Sequence, residues 1–271
     1  MSALVLRHVA LENDGPTIAL TLEAGHLLAV LGPSGGGKSH FLRSLAGEER
    51  FARGSYERGS GPLCAVGRVG GRTKPVSLAG QGGNATPTSI TDALTSVGLW
   101  DLRNEAVGKL TPSHAAAAEL LPAMVEGAGL RLVDGLYEAL DPWAYASALE
   151  RTRWLRDAGA AFVVATNRAE LAREADAILV LRSGKVVFAG TPAELLRKSQ
   201  PTRLTVEADG QAGVRAIAAP FSVDIHQEGG TLRMETSEGQ ALAARLLLEG
   251  YGNVRSVIVQ EPDIVDSLRS L

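Results

Sequence analysis

Short, mostly apolar runs recur through the first 182 residues, and longer segments with helical signals separate them. Runs of this kind are typical of strands that are buried on both faces. The pattern predicts strands at 4–8, 18–22, 27–31, 130–134, 161–166 and 177–181. Because the later strands alternate with helices, we expect a largely parallel α/β sheet.

Capping residues, prolines and glycines mark the helix boundaries. Helix starts are predicted at Lys38, at a capping box of Ser89 and Asp92, at Thr111-Pro112 and at Asp141-Pro142, with ends at Gly47 and Gly159. Residues 51–75 are rich in Gly, Arg and Ser and predict loops with short strands. Trp143 and Trp154 are expected to pack against the sheet.

A second pattern begins near residue 200. Six segments follow there in the order strand, helix, strand, strand, helix, strand. This βαββαβ order is typical of a small ferredoxin-like α+β domain. We therefore expect an α/β domain at 1–199 and a βαββαβ domain at 203–271.

Composition and charge narrow the class of protein. The chain has 271 residues, 45% apolar and 21% charged, with a net charge of −3. That charge gives no basic patch of the kind that nucleic-acid binding requires. One cysteine and an N-terminus without a long apolar region favour a reducing, cytosolic location. No apolar run approaches the ~18 residues of a membrane-spanning helix, although docking on a membrane component is compatible with the sequence.

A glycine-rich turn connects the strand at 27–31 to the next helix. Its sequence, GPSGGGKSH, satisfies G-x-x-x-x-G-K-[ST], the P-loop pattern, in which backbone N–H groups surround phosphate oxygens. The lysine reaches the β- and γ-phosphates, and the serine hydroxyl ligates Mg²⁺. The preceding strand and following helix favour a nucleotide site over a chance turn. The predicted binding residues are Gly32, Pro33, Ser34, Gly35, Gly36, Gly37, Lys38, Ser39 and His40.

Further motifs follow the P-loop in a fixed order. Asp134 ends a buried strand, and an acid at that place can complete the Mg²⁺ shell. Gln81 lies in SLAGQGG, EALD follows at 138–141, and ADAILVLRSGKVVFAGTPAEL occupies 175–195. With the P-loop, these segments resemble the ATP-binding subunit of an ABC transporter over residues 1 to about 197.

The resemblance implies a P-loop NTPase (ABC ATPase) fold with ATP and Mg²⁺ as ligands. It implies that Ser39, Gln81 and Asp134 contact Mg²⁺ and that Gln81 senses a transmembrane partner. It places Asp141 in a loop that faces a second ATPase subunit. The implied partners are transmembrane permease subunits and either a second copy of this chain or a different ATPase, at the inner face of the cell membrane.

Two catalytic positions depart from the family pattern. The family has a water-polarising glutamate directly after Asp134, whereas this chain has Gly135. The family's switch histidine corresponds to Asn167, which carries no titratable proton. Loss of a general base typically reduces a rate by ~10²–10⁴-fold. Glu138 lies three residues after Gly135, beyond the strand end, and we do not expect it to substitute.

The signature segment also departs from the family's Leu-Ser-Gly-Gly-Gln. It corresponds best to 110–114, where Thr111 keeps a hydroxyl while Pro112 removes an N–H donor and Ser113 adds a Cβ. The segment ALENDGPT lacks an aromatic residue to stack on adenine, and the stretch from Gln81 to residue 110 is short for the family's helical subdomain.

The end of the chain carries a weaker resemblance. EPDIVDSL is similar to the Pro-x-Leu-x-Asp-x-Phe tail of some type-2 ABC exporters, with Pro262, Ile264, Asp266 and Leu268 in register. An unrelated small domain of the same topology remains the alternative.

Two functions follow from these residues. The first is an ATP-binding subunit that couples dimer closure to membrane subunits, with impaired or absent hydrolysis. The second is a catalytically inactive pseudo-ATPase that acts as a structural or regulatory scaffold. Gly135 and Asn167 favour the second. The first is favoured by the intact Lys38, Ser39, Asp134 and Gln81.

Overall fold

The chain forms two compact units, Met1–Pro192 and Ala193–Leu271. The structure is a computed structural model that describes residues 1–68, 71–83, 85–127, 129–199, 201–250, 253–260, 263–269 and 271. Pro262 and the side chain of Asp266, which belong to the tail resemblance, lie outside the described part. The division between the units follows the first residue of the helix Pro192–Ser199, which the sequence assigned to the first domain.

Two sheets make up the first unit. A six-stranded sheet has the order β5-β6-β7-β3-β8-β9, and a three-stranded antiparallel sheet has the order β2-β1-β4. The larger sheet is parallel except for β9, as the alternation of strands and helices predicted. The strands are β1 (Ser2–Ala10), β2 (Ile18–Glu23), β3 (Leu27–Leu31), β4 (Arg53–Arg58), β5 (Leu63–Val66), β6 (Gly129–Asp134), β7 (Ala160–Thr166), β8 (Ala177–Arg182) and β9 (Lys185–Gly190).

Helices accompany these strands in the part of the first unit that the structure describes. They are α1 (Lys38–Ala46), α2 (Pro75–Ala79), α3 (Pro87–Ser96), α4 (Pro112–Met124) and α5 (Pro142–Asp157). Three 3₁₀ turns lie at Val107–Lys109, Leu136–Ala139 and Ala169–Arg173.

The predicted capping box on α3 is wrong by three residues. Thr86, not Ser89, is the N-cap: its Oγ1 accepts from the Ser89 N–H at 3.2 Å, and its own N–H donates to Ser89 Oγ at 2.8 Å. Pro87 then takes the first helical position, because its missing N–H needs no partner there. The predicted starts of α1, α4 and α5 are confirmed.

The core of the first unit lies on both faces of β3. All five β3 residues are buried between β7 and β8, as expected for a central strand of a parallel sheet. Helix α1 packs over this sheet through Phe41, Leu42 and Leu45. The two tryptophans of α5 were expected to pack inward, but Trp143 is 81% exposed and Trp154 is 45% exposed.

The second unit contains a four-stranded antiparallel sheet of order β11-β12-β10-β13 with helices packed on it. This order, with βαββαβ connectivity, confirms the ferredoxin-like fold. The elements are α6 (Pro192–Ser199), β10 (Thr202–Ala208), α7 (Gln211–Ala218), β11 (Asp224–Glu228), β12 (Thr231–Thr236), α8 (Gly239–Glu249), β13 (Val254–Gln260) and α9 (Ile264–Arg269). Within the described residues of both units, no helix has the length and apolarity needed to cross a bilayer.

Candidate nucleotide site

The P-loop, residues 32–39, leads from the end of β3 into α1. Gly32 has φ 145°, and a Cβ there would lie 2.0 Å from the Leu181 carbonyl oxygen of the neighbouring strand β8. The Gly36 carbonyl accepts a hydrogen bond at 3.1 Å from the Gly184 N–H in the β8–β9 turn. Gly37 has φ 101° and begins α1. The loop therefore requires glycine where it passes β8, and this contact fixes its path.

Lys38 is nearly buried beneath the loop. Its Nζ donates to the Gly32 carbonyl at 2.7 Å and to the Pro33 carbonyl at 3.0 Å. Burial lowers the pKa of Lys38, and the negative charges of Glu138 and Asp134 raise it. The ammonium group is therefore hydrogen-bonded to two neutral carbonyls and lies near two carboxylates. Phosphate oxygens could replace the carbonyls as its partners.

Asp134 is the last residue of β6, at the same carboxyl-terminal end of the parallel strands from which the P-loop leaves β3. The side chain is partly buried and borders a cavity of about 340 Å³ with Arg43, Arg68 and Leu132. Ser39 follows Lys38 in the first turn of α1. A hydroxyl, a carboxylate and a lysine around a glycine loop are the groups that bind a Mg²⁺-bound phosphate chain, so the residues present fit MgATP.

Gln81 is not connected to the other two predicted Mg²⁺ ligands by any hydrogen bond among the described residues. It is exposed after α2 and borders a second cavity, of about 240 Å³, with Leu78 and Glu119. Within the described part of the chain, no hydrogen bond joins Gln81 to Ser39 or Asp134. The predicted Mg²⁺ contact of Gln81 therefore stays a prediction.

His40 lies near a surface carboxylate. Its Nε2 lies 3.5 Å from Glu49 Oε2, and Glu49 Oε1 also accepts from Arg43 Nε at 2.5 Å. The described contacts thus connect His40 to the turn after α1, and its predicted role in nucleotide binding stays a prediction.

Gly135 and Asn167 lie at the ends of adjacent strands. Gly135 has φ 67°, and its N–H donates to the Ala165 carbonyl at 3.0 Å. The Asn167 N–H donates to Glu138 Oε1 at 2.6 Å. Glu138, which we did not expect to substitute for the missing acid, therefore has its carboxylate beside the switch position.

The signature segment is bonded to Asp141 of the same chain. Ser113 Oγ donates to Asp141 Oδ2 at 2.7 Å and accepts from the Asp141 N–H at 3.0 Å. Asp141 Oδ1 caps α5 by accepting from the N–H groups of Trp143 and Ala144. The Ala144 N–H and the Ser113 hydroxyl lower the pKa of Asp141, so the carboxylate is ionised at neutral pH.

Sequence reasoning missed two of these contacts. The placement of Glu138 depends on the left-handed conformation of Gly135, for which the glycine itself was the only local signal. The bond between Ser113 and Asp141 joins residues 28 positions apart, and neither residue type indicates the other.

Known proteins resemble the first unit. Residues 16–136 match the family model described as ABC transporter. The arginine transport ATP-binding protein ArtM of Bacillus subtilis is 26% identical over 223 residues, covering 73% of this chain and 91% of that protein. The zinc import ATP-binding protein ZnuC of Roseobacter denitrificans is 26% identical over 185 residues, covering 65% and 72%.

A solved structure, described as that of an ATP binding subunit of an ABC transporter, superimposes with a TM-score of 0.59 at 16% identity. The likeness covers 72% of this chain and 92% of that one. It shows the fold of the first unit, and the predicted fold class is confirmed.

Proposed function

We propose that the first unit is an ABC-type ATP-binding domain and that the chain is the ATP-binding subunit of an ABC transporter, which binds MgATP with impaired hydrolysis. The observation that carries this proposal is the P-loop itself. Its glycines fit against β8, and Lys38 lies beneath it with Nζ on two loop carbonyls. Mg²⁺, when bound, would neutralise phosphate charge beside Ser39 and Asp134.

Impaired hydrolysis is supported by the two replaced positions. Gly135 has no side chain to accept a proton, and Asn167 offers an amide in place of an imidazole. A site that keeps the phosphate-binding residues but has these two replacements is expected to bind ATP and to hydrolyse it slowly. The chain would then act as a nucleotide switch with slow chemistry.

Pairing with a second ATPase subunit is part of the proposal. Asp141 and Trp143 lie at the start of α5, and Trp143 is 81% exposed. Tryptophan is enriched at protein interfaces, so Trp143 is compatible with this pairing. Pairing with a second copy would give two sites that lack the family's glutamate, whereas pairing with a different ATPase would supply one intact subunit.

The membrane partner and location follow from the same proposal. The two relatives above are named for zinc import and arginine transport. These names favour a role in transport, but they differ in substrate and so do not identify the substrate of this chain. We place the chain in the cytoplasm, against transmembrane permease subunits at the inner face of the membrane. Membership of the type-2 exporter group rests on the tail at 261–268 alone.

The test is MgATP binding by the purified chain. We expect Lys38→Ala to weaken binding by at least ~100-fold, since a charge-assisted contact to phosphate in a partly buried site is lost. Lys109→Ala is the control, because Lys109 is an exposed lysine in the turn before α4. Equilibrium titration with a fluorescent ATP analogue measures both. Equal binding by wild type and Lys38→Ala would contradict the proposal.

The scaffold is the second candidate function. Gly135 and Asn167 favour it. It differs from the first candidate in one expected result, because a scaffold would bind ATP and never cleave it. Release of phosphate from bound ATP above the Lys38→Ala background would exclude it.

A further inference from the structure

Glu138 lies on the 3₁₀ turn Leu136–Ala139 that follows β6. The left-handed conformation of Gly135 bends the chain directly after Asp134. This bend brings the Glu138 carboxylate to the end of β7, where Oε1 accepts from the Asn167 N–H at 2.6 Å. β7 pairs with β3, and β3 leads into the P-loop. A carboxylate therefore lies at the carboxyl ends of the parallel strands, where the predicted nucleotide-binding residues also lie.

Contacts on both sides hold this turn in place. The Gly135 N–H donates to the Ala165 carbonyl at 3.0 Å, and the Arg168 guanidinium donates to the Leu140 carbonyl at 2.5 Å. The guanidinium also stacks on the Tyr145 ring at 4.7 Å. The Glu138 side chain is thus carried by a backbone that these contacts hold in place.

Glu138 lies close enough to the P-loop for its negative charge to interact with the Lys38 ammonium group, as the charge of Asp134 does. Among the described residues, Glu138 Oε2 makes no hydrogen bond, whereas Oε1 is occupied by Asn167. One oxygen therefore positions the carboxylate, and the other is available to a water molecule.

We propose that Glu138 orients and deprotonates the attacking water in this site, in place of the acid that Gly135 lacks. The inference rests on the proposed binding of MgATP. The water oxygen bonds to the γ-phosphorus while its proton passes to Glu138 Oε2. The bond from the γ-phosphorus to the bridging oxygen breaks, and its electron pair goes to ADP.

The decisive variant is Glu138→Gln. Glutamine keeps an oxygen that can accept from the Asn167 N–H, so the turn is preserved, but it cannot take a proton from water. We expect single-turnover cleavage of γ-labelled ATP to slow by ~10²-fold or more, with ATP bound at least as tightly as by the wild type. Glu138→Asp is expected to retain part of the rate.

Glu170→Gln is the matched control, because Glu170 is an exposed carboxylate in the turn after Asn167. It should cleave ATP as the wild type does. Wild-type rates in Glu138→Gln would overturn the proposal, since the carboxylate would then be structural only. Cleavage by the wild type no faster than by Lys38→Ala, with ATP bound, would also overturn it and would leave the binding function intact. Absence of ATP binding by the wild type would refute both.

Discussion

At the scale of single residues, Gly135 has a backbone conformation that favours a residue without a side chain. The residue has φ 67°, a region that costs an L-amino acid ~1–2 kcal/mol. A Cβ built there meets nothing within 4 Å, so the restriction comes from the backbone and not from crowding. A glutamate restored at this position would therefore strain the turn that carries Glu138.

This argument predicts the outcome of restoring the acid. Gly135→Ala and Gly135→Glu should each lower the free energy of unfolding by ~1–2 kcal/mol, and Gly135→Asn by less, because Asn tolerates the left-handed region. Urea denaturation followed by circular dichroism measures the change. We also expect Gly135→Glu to cleave ATP no faster than the wild type. Full stability together with a large gain in turnover would show that the turn relaxes to another conformation.

At the scale of elements, helix α4 ends against two buried arginines. Arg131 on β6 is 5% exposed and donates to the carbonyls of Ala123, Val125 and Gly127. Arg151 Nε donates to the Met124 carbonyl at 3.0 Å. Burial lowers the pKa of Arg131 to about 10, so the group stays charged at neutral pH. The guanidinium groups supply the donors that the last carbonyls of a helix lack.

Removing the Arg131 donors should therefore destabilise the first unit. We expect Arg131→Leu to reduce the free energy of unfolding by about 3 kcal/mol, because three carbonyls lose their partner and leaving even one buried group unsatisfied costs ~1–3 kcal/mol. Arg7→Leu is the control, since Arg7 is an exposed residue paired with Glu57 at 3.0 Å and such pairs contribute ~0–1 kcal/mol. Thermal unfolding of the two variants gives the comparison. Equal losses would mean that water replaces the guanidinium.

Sequence patterns predicted the elements with continuous signals and missed those set by distant contacts. The runs at 27–31 and 161–166 are apolar throughout, so strands there follow from local composition. The P-loop was recognised because its chemistry requires fixed residue types. The strands β4 and β5 lie in a polar, glycine-rich region and gave only the expectation of short strands. The Glu138 carboxylate could not be placed, because its contact with Asn167 spans 29 positions.

At the scale of the whole molecule, each of the two units has a hydrophobic core among its described residues. The core of the first unit includes Leu179, which is fully buried and belongs to the cluster that β3 forms with α1. The other lies between the β10–β13 sheet and its two helices and includes Leu204, also fully buried. Because each core belongs to one unit, we propose that the units are separate folding domains and that the first alone holds the nucleotide.

Substituting one core residue at a time in the full chain tests this proposal. Leu204→Asp places an unpaired charge in the second core, so it should unfold that unit and leave MgATP affinity unchanged. Leu179→Asp should abolish binding, because Leu179 lies in β8 beside the strand that carries the P-loop. Leu247→Asp is the control in the second unit, since Leu247 is 60% exposed and tolerates charge. Limited proteolysis locates the unfolded unit, and ATP titration reports the site. Loss of ATP binding in Leu204→Asp would show that the second unit is required for the fold of the first.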